Sequence, residues 1–162
     1  METTSPSVIL VMGVSGSGKT TVGQLLAKRL EGSFLDADDL HPSTNIDKMA
    51  RGESLNDKDR WPWLDAVTHA ASIHTSPTPL VLACSALKES YRERLQLGDD
   101  PVIFLTGSRE TIAQRLSLRQ GHFMPSQLLD SQLGELEEPK KAISISIAGT
   151  PYEIVDQIIR SL

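Results

Sequence analysis

Val8-Ile-Leu-Val-Met-Gly13-Val-Ser-Gly-Ser-Gly18-Lys19-Thr20-Thr21 decides how the rest of the chain must be read. An apolar, β-branched run enters it, glycines and a lysine follow, and an amphipathic segment leaves it. Gly13-x-x-x-x-Gly18-Lys19-Thr20 matches the phosphate-binding P-loop pattern at each defined position. The residue types follow from the chemistry. Gly13, Gly16 and Gly18, with Val14, Ser15 and Ser17 between them, let the backbone turn tightly so that successive N–H groups point at phosphate oxygens. A helix opening at Thr20 and Thr21 adds the positive end of its dipole. Lys19 is a mobile point charge for the β- and γ-phosphates, and the Thr20 hydroxyl is a ligand for Mg²⁺. A chance glycine-rich turn lacks the strand before, the helix after and the Lys-Thr pair. The stretch predicts a bound nucleoside triphosphate.

Working outward, residues 20–30 carry Val22, Leu25, Leu26 and Leu30 at helical spacing, with Gly32 placed to stop the helix. Phe34-Leu-Asp36 is a short second strand that ends in acid. Pro42 opens a short helix bearing Ile46 and Met49. Residues 52–59 are polar and turn-rich, and a longer helix starts near Arg60-Trp-Pro-Trp63 and runs to about His74. Residues 80–84 and 102–105 read as buried strands, with a charged helix over 88–97 between them. Ser108 caps a helix bearing Ile112 and Leu116. Gly121-His-Phe-Met-Pro125 interrupts it, and 126–136 resumes helix. A fifth strand spans 143–147. Thr150-Pro-Tyr-Glu153 spells a capping box with proline at the first helical position. Strands alternating with helices at these lengths predict a parallel sheet. The fold class is α/β: a three-layer α/β/α P-loop NTPase of the nucleoside-monophosphate-kinase kind, with five parallel strands and a mobile lid. Its domain plan is a disordered tail over 1–7, one domain over 8–162, and a lid at about 119–126. Ligands are expected at the carboxyl ends of the strands.

Composition narrows the classes. The chain has 162 residues and a formal net charge of −5, and no basic cluster stands out, which argues against a nucleic-acid-binding surface. Its one cysteine, Cys84, excludes an internal disulfide and suits a reducing compartment. No apolar run approaches the roughly 18 residues of a membrane span. The first residues have neither a basic nor an apolar segment of a signal peptide. A cytoplasmic protein without a membrane or nucleic-acid partner is expected.

Mg²⁺ on a nucleotide needs a carboxylate held at a strand end. The strand at 80–84 runs into Cys84-Ser85 and offers none. Asp36 and Asp38 end the second strand instead, and at i, i+2 they share a face if the strand continues that far. Asp36 would then face Mg²⁺, directly or through water, and Asp38 would act as general base toward a substrate hydroxyl. Arg115 and Arg119 form a second constellation at i, i+4 on one helical face. Arg115 is placed to lie against adenine and Arg119 against the phosphates, where an arginine stabilises the charge of phosphoryl transfer. Gly121 and Pro125 bracket a stretch that reads as a hinged lid excluding water. The four histidines share no metal-ligand spacing. Trp61 and Trp63 read as packing, and Cys84 as a small buried hydrophobe.

With these residues assembled, the chain resembles the gluconokinases of the small P-loop carbohydrate kinases, close kin of shikimate kinase. The resemblance runs from about 8 to 159. Its specific blocks are Asp36-Ala-Asp-Asp-Leu-His-Pro42, Asn45-Ile-Asp-Lys-Met49, Leu55-Asn-Asp-Lys-Asp-Arg60, Cys84-Ser-Ala-Leu-Lys88 and Gly121-His-Phe-Met-Pro125, in that order. It implies ATP- and Mg²⁺-dependent phosphorylation of D-gluconate at the 6-hydroxyl, feeding the pentose phosphate pathway. Lys19, Asp38 and Arg119 would be catalytic. His41, Asn56, Asp57 and Arg60 would surround the sugar acid, with Arg60 apt as a two-pronged carboxylate clamp. Ser85, Lys88, His122 and Gln132 are carried over as further substrate-binding residues. The family tendency is a homodimer, although no stretch of this chain marks an interface.

Two departures stand out. Ala37 replaces a frequent glycine between the aspartates, and Ser131-Gln-Leu-Gly-Glu-Leu-Glu137 replaces a usual Ser-Gln-Phe-x-Thr-Leu-Glu. A shikimate- or nucleotide-type small kinase is the close rival reading, and a non-catalytic P-loop switch the distant one. A guanine-reading switch needs Asn-Lys-x-Asp, which Asn56-Asp-Lys-Asp59 does not spell.

Overall fold

The computed structural model describes residues 8–75, 77–118 and 126–162. In chain order the first half comprises β1 (Val8–Met12), α1 (Lys19–Arg29), β2 (Ser33–Asp36), a 3-10 turn (Ala37–Leu40), α2 (Ser43–Ala50), α3 (Asp57–Ser72) and β3 (Leu80–Ala83). The second comprises α4 (Glu89–Arg94), β4 (Val102–Thr106), α5 (Arg109–Leu118), α6 (Ser126–Glu135), β5 (Ile143–Ser146) and α7 (Pro151–Ser161). The five strands are all parallel, in the order β2-β3-β1-β4-β5, as the alternation of strand and helix predicts.

β1 is buried along its whole length because β3 and β4 pair with its two edges and helices cover both faces. Its side chains alternate between two cores. Ile9 and Val11 pack with Val22 and Leu26 of α1, Ile112 and Leu116 of α5, and Ile154, Val155 and Ile158 of α7. Val8, Leu10 and Met12 pack with Trp63, Leu64 and Val67 of α3 and with Tyr91 of α4. Each large aliphatic chain so buried contributes about 1.5–3 kcal/mol. The two cores make the three layers. α7 starts where the sequence predicts, with Pro151 at the first helical position and Thr150 accepting the Glu153 N–H. The Glu153 carboxylate takes the Thr150 hydroxyl at 3.1 Å rather than its N–H, so the capping box is half formed.

Three local details differ from the sequence reading. Glu31, not Gly32, takes the left-handed conformation that ends α1, at φ 55°. Gly32 is instead required by a close approach, because a β-carbon there would lie 2.2 Å from the Pro79 carbonyl oxygen. β2 stops at Asp36. Asp36 accepts the Asp38 N–H at 3.0 Å and so starts the 3-10 turn, which means that Asp36 and Asp38 do not share a strand face. α3 begins at Asp57 rather than near Arg60. Asn56 caps it and Asp59 returns the bond to the Asn56 N–H, so a stretch read as turn is the first turn of a helix, and Pro62 lies inside it.

Candidate active site

The carboxyl ends of β1, β2 and β3 meet over a cavity of about 250 Å³. That is at or below the lower end of ligand sites, about 300–1,000 Å³, and suits a small metabolite. Ser15 and Lys19 of the P-loop, Asp38 and His41 after β2, Arg60 and Trp63 of α3, Ser85 after β3 and Gln132 of α6 border it. Residues distant in sequence, all but Trp63 singled out there as candidates, thus converge on one space.

The P-loop takes its shape from two glycines. Gly16 and Gly18 have φ of 85° and 95°, values that any other residue adopts only with strain, and a β-carbon on Gly16 would lie 2.8 Å from the Leu116 side chain. The loop is primed for oxygen acceptors. The Ser15 N–H donates to the Gln132 side-chain oxygen at 2.8 Å, while the Gln132 amide nitrogen donates to the Ser15 hydroxyl at 3.1 Å. Lys19 Nζ donates to the Val14 carbonyl oxygen at 3.1 Å. Ser17 is buried behind the loop.

Thr20 Oγ1 donates to Asp36 Oδ2 at 2.8 Å. A hydroxyl at the head of α1 and a carboxylate at the end of β2 are therefore adjacent, which is the oxygen donor set that Mg²⁺ takes, usually with retained waters. Among the described residues no cluster of three or more His, Cys, Asp or Glu could hold a metal ion by itself. Asp38, released from the strand by the 3-10 turn, is exposed at the cavity.

His41 lies flat against Trp63, with ring centroids 4.1 Å apart and planes at 13°. Trp63 is buried and its indole N–H donates to the Ala37 carbonyl at 2.7 Å, so the platform is anchored to the turn that carries Asp38. Burial, and then the charge of Arg60, lower the His41 pKa to about 4, and the ring is neutral at physiological pH. Trp63 thus does more than pack. Its role beside His41 was not legible from spacing, because the residues belong to different elements.

Arg60 is buried at 8% exposure, with Nη1 donating to the Leu55 carbonyl at 2.8 Å and to the Tyr91 hydroxyl at 3.0 Å. Its Nη2 lies 3.0 Å from Glu135 Oε2. Three other candidates do not border the cavity. Asn56 is spent on capping α3. Asp57 accepts from the Tyr91 hydroxyl at 2.5 Å and from Lys88 Nζ at 3.1 Å, and these bonds hold its carboxyl below the usual range. Asp57 and Lys88 therefore brace Tyr91, and through it Arg60. Arg119 and His122 lie outside the described residues.

A second cavity, of about 180 Å³, opens on the other side of the P-loop between Gly18, Thr21, Arg115, Gly149 and Pro151. Arg115 Nη2 donates to the Ile147 carbonyl at 2.5 Å, which holds the guanidinium along one wall. The sequence reading picked out Arg115 and Thr21 but not Gly149 and Pro151, which lie just past the carboxyl end of β5, the side of the sheet on which α/β folds hold ligands. Cys84 is buried and its thiol is pushed up to about 12 by desolvation, so it is no nucleophile. No helix of the described residues is long and apolar enough to cross a membrane.

The chain is similar to known kinases over most of its length. The family model described as shikimate kinase matches residues 15–161. The thermosensitive gluconokinase of Escherichia coli is 47% identical over 81% of this chain and 72% of its own length. The gluconokinase of Gluconobacter oxydans is 44% identical over 96% of this chain and 90% of its own. The crystal structure of a gluconokinase from Sinorhizobium meliloti superposes with a TM-score of 0.85 at 43% identity, covering 96% of this chain and 90% of that one.

Proposed function

The chain belongs to the shikimate kinase family and, within it, to the gluconokinases, and on that premise we propose that it phosphorylates the 6-hydroxyl of D-gluconate. ATP is the donor, and 6-phospho-D-gluconate and ADP are the products. The observation that carries this reading is the shared border of the first cavity, where the P-loop Lys19 and the carboxylate Asp38 face the same space. A phosphoryl donor and an acceptor hydroxyl would meet there.

The loop N–H groups from Gly13 to Thr20 would cradle the phosphates, and Lys19 would swing from the Val14 carbonyl to the γ-phosphate. Adenine would enter the second cavity, against Arg115 and between Thr21 and Pro151. Thr20 and Asp36 would hold Mg²⁺, which when bound neutralises charge on the β- and γ-phosphate oxygens. Asp38 would accept the proton of the attacking hydroxyl. Arg60 would receive the carboxylate of the sugar acid, and His41, Ser85 and Gln132 its hydroxyl groups. Asn56, Asp57 and Lys88 would act through Arg60 and Tyr91 rather than by touching the substrate. Arg119 would act on the phosphates, as its spacing from Arg115 suggests, and His122 on the substrate, as the resemblance implies. A cytoplasmic location, a homodimer and supply of the pentose phosphate pathway complete the proposal.

The test is release of ADP, coupled to NADH oxidation, in the presence of gluconate, shikimate, other sugar acids and nucleoside monophosphates. Stimulation by gluconate well above the others is expected. Preference for shikimate or a nucleotide would replace the substrate, and no stimulation by any of them would remove the kinase reading.

A further inference from the structure

We infer that Asn45 decides which ring nitrogen of His41 carries the proton, and thereby makes His41 an obligate hydrogen-bond donor toward the substrate. The identity of the acceptor rests on the gluconate reading above; the position of the proton does not.

Asn45, on α2, is buried at 3% exposure. Its Nδ2 lies 2.9 Å from the Asp59 backbone carbonyl. A carbonyl oxygen only accepts, so the amide nitrogen and not the amide oxygen must face it. That bond fixes the orientation of the whole side chain. The same Nδ2 lies 3.2 Å from His41 Nδ1. An amide nitrogen has hydrogens to give and no lone pair to offer, so Nδ1 must accept. A neutral imidazole has one acceptor and one donor nitrogen, and the proton is therefore left on Nε2. A charged ring would set N–H against N–H across that contact.

The surroundings push the same way. Burial and the Arg60 guanidinium disfavour the imidazolium. The acids nearby do not offset this. Asp59 is engaged by Lys48 at 2.7 Å and by the Asn56 N–H, and although Asp38 sits on the same turn, its carbonyl accepting the His41 N–H at 3.4 Å, the pKa of the ring still moves down. Stacking on Trp63 fixes the plane of the ring, and bonding at Nδ1 fixes its rotation; His41 borders the cavity, and with Nδ1 taken, Nε2–H is the polar group it has to offer there. Lys19 and Arg60 supply charged donors there and Asp38 the acceptor. His41 adds a neutral donor, which can hold a hydroxyl oxygen without weakening the basicity of Asp38 as another cation would. Asn45 does not border the cavity and acts through His41. It is a positioning residue.

The experiment is nitrogen-edited NMR of the full chain with ¹⁵N-labelled histidine at pH 7, without substrate. Expected is a protonated, pyrrole-type Nε2 and a bare, pyridine-type Nδ1 for His41. A proton on Nδ1, or the averaged pair of a solvated ring, overturns the inference. The kinetic arm compares His41→Gln, whose oxygen can accept from Asn45 while its nitrogen donates to the cavity, with His41→Glu, which only accepts. The gluconate KM should rise in both, and at least about three-fold further in the second than in the first, with the ATP KM steady. Equal KM values for the two variants overturn the donor role. If the NMR result is as expected and gluconate still fails to stimulate the unaltered protein, the substrate reading fails and the tautomer stands.

Discussion

The Arg60 guanidinium lies 3.0 Å from the Glu135 carboxylate, with the two side chains 9% and 22% exposed. The carboxylate oxygen that faces it is buried and makes no aligned hydrogen bond among the described residues. Arg60 borders the first cavity; Glu135 is not among the described residues that line it. A substrate carboxylate would therefore share Arg60 with an internal one. Glu135 stands in the stretch where this chain departs from the gluconokinase pattern, at a position usually held by threonine.

Glu135→Gln keeps the volume and removes the charge. A carboxylate that partly neutralises an anion site weakens it, so the gluconate KM should fall by roughly three- to ten-fold while the ATP KM holds. A higher gluconate KM would show that Glu135 serves instead to hold the guanidinium in place. Arg60→Ala, which loses the charge altogether, should raise the gluconate KM and leave the ATP KM nearly unchanged.

Asp38 is the exposed carboxylate of the first cavity and shares it with Lys19. Asp38→Asn is nearly isosteric but cannot take a proton. Turnover should drop by about two orders of magnitude or more, while ATP affinity measured by calorimetry changes little. Turnover like that of the unaltered protein would remove Asp38 as the base.

The parts of this molecule that were legible in the sequence are those specified locally. The P-loop is written in consecutive residues, β1 in an unbroken apolar run, and the start of α7 in the Thr150–Glu153 box. That β3 ends without an acid while β2 ends in Asp36 could also be read. What was hidden depends on partners far along the chain. Arg60 looked like a bare clamp because nothing near it announces Glu135, Tyr91 or Leu55 as its partners. The bond from Tyr91 to Asp57 was equally out of reach, because it crosses from α4 to α3. The 3-10 turn at Ala37–Leu40 was missed for a different reason. It is made by one side chain, Asp36, bonding its own backbone two residues on, and this turns Asp38 off the strand face that the i, i+2 spacing offered.

His41 gives the chain a specific response to acid. Its pKa is about 4 in the folded protein against 6.5 for an unperturbed ring, with burial the main cause. Between those values the unfolded chain binds a proton that the folded chain refuses, so stability falls as the pH drops from about 6.5 towards 4 and is fully present above that window. His41→Gln has no such proton. Its denaturation midpoint should vary less between pH 7 and pH 4.5 than that of the unaltered protein, and an equal slope in both would show that other groups set the acid response.

Gly134 lies inside α6, one residue before Glu135, with ordinary helical geometry. A β-carbon built on it meets nothing within 4 Å. Glycine costs a helix about 0.5–1 kcal/mol relative to alanine because the unfolded chain has more freedom to lose, and the position near the helix end reduces that benefit. Gly134→Ala should therefore raise stability by roughly 0.5 kcal/mol in denaturant titration. The same helix carries Gln132 to the P-loop and Glu135 to Arg60, so stiffening it bears on both cavity walls. Extra stability with an unchanged kcat is the outcome expected if α6 moves as a rigid body during turnover. A lower kcat in the stabilised variant would show that the helix must bend at Gly134 for the reaction to proceed.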